Sequence, residues 1–331
     1  MDPLTHGLIG STAAQSAASK EKMGYAVITG FSAALLADAD IFITNPNDPL
    51  LNVEIHRQFS HSLIFIPIGA LIASLLLWFF LKKKLTPKKI YGYSLLGYAT
   101  AGLMDSFTSY GTKLLWPFID ERYSWNIISV FDPLFTAGIL IPVLLSLYYR
   151  KKLFLWLGWL WIYCYLLFGF FQHERAEKKA YSFAREQNQS IEGLVVKPTI
   201  GNQLLWSIRY EVNDTLYAHG LYLNPFSESK FYEGTSTPLL DWRKQYDEYK
   251  GTTLYNDLQR FEKLSEGYLI RHPEQKNVIG DGRYAMLPTS LSPLWGVKAD
   301  TSQPHQHLPF LNFRNASEEI RSEFLIMLLG K

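Results

Sequence analysis

At 331 residues the chain has room for more than one domain. Its net charge of +2, with Lys and Arg not gathered into one long stripe, gives no basis for nucleic-acid binding. The only cysteine, Cys164, lies in an apolar run; this rules out an internal disulfide and thiolate zinc sites, and leaves His and carboxylates as donors for any transition metal.

A mean hydropathy of -0.02 resembles that of a soluble protein, but it averages two unlike halves. Residues 1–171 hold nearly all the long apolar runs, whereas 172–331 are polar with Trp and Tyr spaced through them. The opening Met1-Asp2-Pro3 lacks the basic n-region of a cleavable signal peptide, so insertion is expected from the spans themselves. In chain order, 5–18 and 24–37 are Gly/Ala/Ser-rich apolar segments. Residues 62–81 form a run without charge, matching the ~20 residues needed to cross a hydrocarbon core. Residues 90–104 are shorter and rich in small residues, as helices inside a bundle often are. Residues 127–149 carry one acid, Asp132, near their start, and 153–171 close the apolar half. The count is about six spans.

Three basic clusters lie in short loops between these segments: Lys20 and Lys22, the run Lys82–Lys84 with Lys88 and Lys89, and Arg150–Lys152. Such loops stay cytoplasmic. Threading six spans on that basis puts both the N-terminus and everything after residue 171 outside.

Beyond the apolar half, 174–190 read as a polar helix leaving the membrane. The alternating stretches 204–212 and 215–223, separated by Asn213-Asp214, predict a β-hairpin. Residues 240–263 look helical and 284–297 irregular or strand-like. The expected fold is a polytopic α-helical membrane bundle (1–171) followed by a small extracytoplasmic α+β domain (172–331).

The threading uses only Lys and Arg, yet it sorts the other polar residues. His6, Asp38, Asp40, His56, His61, Asp105 and Asp132 all fall at the outer ends of their segments. Ionisable groups near membrane depth are costly and default to functional hypotheses. Neutral imidazole with hard carboxylate oxygen suits zinc, manganese or iron, and with more carboxylates magnesium. His56 and His61 are five apart and do not share one face of a regular helix, and no HExxH motif is present. A loop-to-helix entry, with Ser60 as an N-cap, would let both turn inward. Asp2-Pro3 and Asp132-Pro133 read as helix starts; for Asp132, capping and metal ligation are level alternatives. Arg57 suits either a snorkelling anchor or a clamp for an anionic group such as phosphate. Asp105 also suits a cap or the partner of a base. His173, His219, His272, His305 and His307 get the ordinary structural reading.

The stretches MDPLTHGLIG at 1–10, ALLADAD at 34–40, HRQFSHSLIF at 56–65 and MDSFTSYGT at 104–112 resemble the YdjM-type membrane-bound metal-dependent hydrolases. The resemblance covers about residues 1–150. It implies a multi-pass protein of the bacterial or archaeal cytoplasmic (inner) membrane, with polar positions matching His6, Asp38, Asp40, His56, Arg57, His61 and Asp105.

The expectation that follows is a hydrolase of a lipid or lipid-linked phosphoester at the outer face of the membrane. His6, Asp38, His56, His61 and Asp105 would hold a divalent metal, zinc first and manganese or magnesium as alternatives, with Arg57, Asp40 and Asp132 in catalytic roles. The expected partners are the bilayer and a lipid-like substrate, with no nucleic acid. The rival reading is an ion- or proton-coupled transporter, or a membrane sensor, using the same His/Asp cluster.

Overall fold

The computed structural model describes residues 1–314 and 316–331. The chain divides into two compact units: Met1–Ile43 with Ile55–Phe171 and Ile200–Asn202, and Thr44–Glu54 with Gln172–Thr199 and Gln203–Lys331.

The first unit is helical. Asp2 accepts the Thr5 N–H at 3.0 Å, and Pro3 takes the first helical position, so α1 (Pro3–Ser16) starts on a side-chain cap. α2 (Met23–Ala37) tightens at its end into a 3₁₀ turn, Asp38–Phe42. The next helix, α3 (Pro49–Ile55), falls largely within the second unit. α4 (Ile66–Leu81) and α5 (Pro87–Ser106) follow, then α6 (Pro133–Tyr149), which opens on Asp132 as cap and Pro133. α7 (Leu153–Glu186) runs through both units.

α1, α2 and α5 pack on one another, α4 lies on α2 and α5, and α6 lies on α1. The closest approach is built from glycine. A Cβ on Gly10 would come within 2.6 Å of the Gly30 carbonyl oxygen, and one on Gly97 within 2.7 Å of Gly30 Cα. Lipid tails give apolar side chains no reason to leave them for one another, so helices there associate through such close packing and a few polar ties. Gln15 on α1 supplies one tie, donating to Ser146 on α6 at 3.0 Å.

Among the described residues, three helical segments are long and apolar enough to cross a membrane: Lys20–Phe42, Leu63–Leu81 and Leu153–Glu186. Of the expected six spans, three are supported on that basis. α1, at 14 residues, extends only about 21 Å against a hydrocarbon core of about 30 Å. The 17-residue α6 is apolar but also short. In α5, Lys88, Lys89 and Asp105 cut into an already modest apolar stretch.

The second unit is built on two antiparallel sheets, each in simple chain order. The first holds β1 (Gly193–Pro198), β2 (Leu205–Val212), β3 (Thr215–Tyr222) and β4 (Lys230–Pro238). The expected β2–β3 hairpin forms, with Asn213 and Asp214 both at positive φ (49° and 56°). A two-residue turn of that kind matches the right-handed twist of the strands it joins. Ala176, Ala180 and Ala184 on α7 cover this sheet, packing on Trp206, Ile208 and Leu221.

After the short α8 (Trp242–Gln245), the amphipathic α9 (Thr253–Leu264) buries Leu254, Leu258 and Phe261. The second sheet holds β5 (Leu269–Arg271), β6 (Val278–Asp281), β7 (Trp295–Lys298) and β8 (Phe310–Asn312). α10 (Glu318–Leu328) closes the chain. Residues 284–297, expected to be irregular or strand-like, are largely irregular and lead into β7. Two arginines tie distant segments of this unit together. Buried Arg209 donates to the carbonyls of Gly282 (3.3 Å) and Ser290 (2.8 Å). Arg260 on α9 grips the segment around α3, donating to Glu54 (2.8 and 2.7 Å) and Asp48 (3.0 Å twice), and to Asp257 beside it (2.7 Å).

Candidate metal centre

Four elements of the first unit bring His and Asp together. α1 carries His6 one turn past its cap, and the end of α2 carries Asp38. His61 sits in a 3₁₀ turn before α4, and Asp105 lies in the last turn of α5. One ligand atom from each of these residues lies within 4.8 Å of the others. His6 Nε2 approaches Asp105 Oδ1 at 3.1 Å, and His61 Nε2 stands 3.3 Å from both Asp38 Oδ1 and Asp105 Oδ2. The Met1 amino group also donates to Asp105 Oδ1.

His6, His61 and Asp105 are buried. Their atoms His6 Nε2, His61 Nε2 and Asp105 Oδ2 find no properly directed hydrogen-bond partner among the described residues. Buried polar atoms are normally satisfied, and leaving one unpaired costs about 1–3 kcal/mol. Two imidazole nitrogens and two carboxylates converging in this state fit a divalent cation of the zinc, manganese or iron type. A single cation would satisfy these three atoms together.

Behind His61 stands a support that fixes its tautomer. Ser60 Oγ donates to Asp40 Oδ2 and lies 2.9 Å from His61 Nδ1. With its only proton directed at Asp40, the hydroxyl can only accept from the ring, so the neutral His61 ring carries its hydrogen on Nδ1 and has its Nε2 lone pair facing the cluster. A carboxylate behind a metal-facing His is the arrangement that orients such ligands. Asp40 also accepts the Arg57 N–H at 2.9 Å and holds His56 Nδ1 at 2.8 Å. The Asp40 carboxylate thus organises the whole His56–His61 loop. Tyr98 completes the support by donating to the Ser60 carbonyl at 2.8 Å, and Gly102 leaves room for the His61 carbonyl where a Cβ would not fit.

The eight residues expected from sequence therefore separate. His6, Asp38, His61 and Asp105 form the cluster. Asp40, expected in a catalytic role, lies outside the group of four and accepts from Ser60 and the Arg57 N–H behind His61. His56, expected as a ligand, faces Asp40 instead and lies outside the group of four. Arg57 stays at the centre: its backbone is left-handed (φ 59°), its Nε lies 2.9 Å from Asp105 Oδ2, and its Nη1 lies 3.4 Å from the Thr108 hydroxyl. Asp132, expected as catalytic, is a cap. Its Oδ1 accepts the Leu134 and Phe135 N–H groups, both at 3.1 Å, and its Oδ2 accepts the Tyr165 hydroxyl at 2.7 Å. Both oxygens are engaged in these bonds, and Asp132 lies outside the group of four. Ser60, read from sequence as a helix cap, is instead the link between Asp40 and His61. Tyr98 and Gly102 carry no local motif that could have marked them.

No curated protein and no solved structure matches the chain. The sequence pattern of the YdjM inner membrane proteins matches residues 1–176, more than half of the chain, and the chain belongs to that family.

Proposed function

We propose that this protein is a metal-dependent hydrolase of the cytoplasmic (inner) membrane, acting on a lipid or lipid-linked phosphoester at the outer face. The observation that carries the reading is the convergence of buried His6, His61 and Asp105, each with an unsatisfied polar atom, on half-buried Asp38. The three apolar segments support the orientation for Asp38 and His61, and the cluster then requires α1 and α5 to carry His6 and Asp105 to the same side. Lys20 and Lys22 begin the first, Lys82–Lys84 end the second, and Arg150–Lys152 precede the third. With those ends cytoplasmic, Asp38, His61 and the polypeptide after α7 are assigned to the outer side.

A divalent ion held by His6, His61, Asp38 and Asp105 would supply a bound water of lowered pKa and polarise the phosphoryl group. The rest is the work of the chain's own residues. Asp40 and Ser60 hold the His61 ring so that Nε2 faces the cluster. Arg57, planar and permanently charged, is placed to take the charge that builds on phosphoryl oxygens, with Asp105 holding its Nε. Burial of the cluster raises the strength of each of these interactions.

The test compares wild type with His61→Ala and Asp105→Asn by elemental analysis of detergent-purified protein and by phosphodiester turnover. Both variants are expected to lose the metal and at least 10²-fold in turnover while remaining folded by circular dichroism. Wild-type turnover in a metal-free His61→Ala protein would end the reading. Ion flux in proteoliposomes without turnover would favour the transporter.

A further inference from the structure

Three loops that leave the metal centre end in side chains that water would not accept. Ile41, Phe42 and Ile43 directly follow Asp40, and Phe42 is 84% exposed. Leu63 and Ile64 follow His61 and Ser62 and are also exposed. The third loop is tied to the second: the Lys113 N–H donates to the Arg57 carbonyl at 3.0 Å, and the Leu63 N–H donates to the Leu114 carbonyl at 2.9 Å. It then presents Leu115, Phe118 and Ile119, with Phe118 79% exposed. Asp120 and Glu121 return the loop to polar sequence.

Exposed apolar side chains concentrated around one buried polar site are not the scattered single residues of an ordinary surface. Two of the three loops continue directly from spans: Phe42 is the last residue of the first segment and Leu63 the first of the second. The basic residues lie at the opposite ends of those segments. The lipid-facing surface of α4 therefore continues, without a charged break, to Leu63, two residues from His61, and Phe42 lies two residues beyond Asp40 on the first segment.

Resting on the hydrolase reading, we infer that these loops form an apolar collar set into the outer leaflet, through which a lipid substrate reaches the metal centre from the bilayer. The occupant is the acyl region of a membrane lipid. Its polar head, at the phosphoester, would meet Arg57 and the cluster while its chains stayed among Phe42, Leu63 and Phe118. Depth in the membrane then selects the substrate: only a phosphoester carried at headgroup level on an acyl chain is presented at the right height.

The experiment places an environment-sensitive fluorophore at Phe42→Cys and Phe118→Cys in a Cys164→Ser background, in full-length protein reconstituted into phosphatidylcholine vesicles. Phe79→Cys on α4 serves as the lipid reference and Ser302→Cys as the aqueous one. Both collar positions are expected to be quenched by lipids with a spin label near the headgroup end of the acyl chain, at least threefold more than by aqueous iodide. Iodide quenching matching that at position 302 would overturn the collar. In parallel, Phe42→Ser with Phe118→Ser is expected to lower the ratio of vesicle-borne to water-soluble phosphodiester turnover at least tenfold; an unchanged ratio would overturn lateral access. A wild type that hydrolyses neither substrate would sink the hydrolase reading, while the quenching result would still judge the collar.

Discussion

The crossing of α1, α2 and α5 offers the sharpest test of how the bundle sets the metal centre. In Gly30→Ala the new Cβ would lie 2.6 Å from Ala14 Cβ and 2.9 Å from the Gly10 carbonyl carbon, with the Gly10 oxygen closer still. Reaching ordinary contact at about 3.4 Å or more requires the backbones to separate by roughly 1 Å, because packed helices have no void to absorb a methyl group. Overpacking of this kind costs about 1–3 kcal/mol, and the better helix propensity of Ala returns less than about 1 kcal/mol. The expected net is destabilisation by about 1–2 kcal/mol. The functional effect is larger than the stability effect. His6 lies on α1, Asp38 ends α2 and Asp105 ends α5, so a shift of about 1 Å at the crossing moves ligands whose distances to a metal tolerate only about 0.2 Å. Zinc affinity, measured by competition with a chromophoric chelator, is expected to fall between tenfold and a hundredfold. Gly92→Ala on the same α5 helix is the control, since its Cβ would meet nothing within 4 Å. Wild-type zinc affinity in Gly30→Ala, or an equal loss in Gly92→Ala, would refute the claim that this crossing sets the ligand spacing.

Three further outcomes follow from other parts of the chain. Burial and the nearby Arg209 guanidinium push the pKa of His219 down to about 4, against about 6.5 when unfolded. Between those values the unfolded chain binds the extra proton, so its contribution is fully present above pH 6.5 and falls as pH drops toward 4, by up to about 3 kcal/mol; denaturant midpoints at pH 7.5 and 4.5 should differ more for wild type than for His219→Gln. Arg260→Ala leaves Asp48, Glu54 and buried Asp257 without their shared guanidinium, at a cost of about 2 kcal/mol, and limited proteolysis should open the 44–54 segment; Arg260→Lys, lacking the planar fork, should recover little. Asp132→Ala should lower stability by about 1–2 kcal/mol through loss of the α6 cap, with Asp132→Asn close to wild type, and neither should change the metal content per folded molecule.

What sequence reveals about such a protein depends on which forces act within a few residues. The hydrophobic spans and the polar residues at their ends are conspicuous because the bilayer penalises charge wherever it falls, and that penalty is visible one residue at a time. The Asn213-Asp214 turn is equally local. Only three of the six expected spans are evident from length and hydropathy for a different reason: α1 and α5 pack through close contact at Gly10, Gly30 and Gly97, and small residues lower hydropathy while improving packing. The division of labour within the centre is less accessible still. Asp38 and Asp40 are indistinguishable as letters, and so are His56 and His61; a 3₁₀ turn at the end of α2 and the left-handed Arg57 send one of each pair into the cluster and the other behind it. Arg260 and Glu54, 206 residues apart, share no pattern at all. A charge cost marks a residue as consequential, but backbone geometry decides whether it joins the cluster or supports a residue that does.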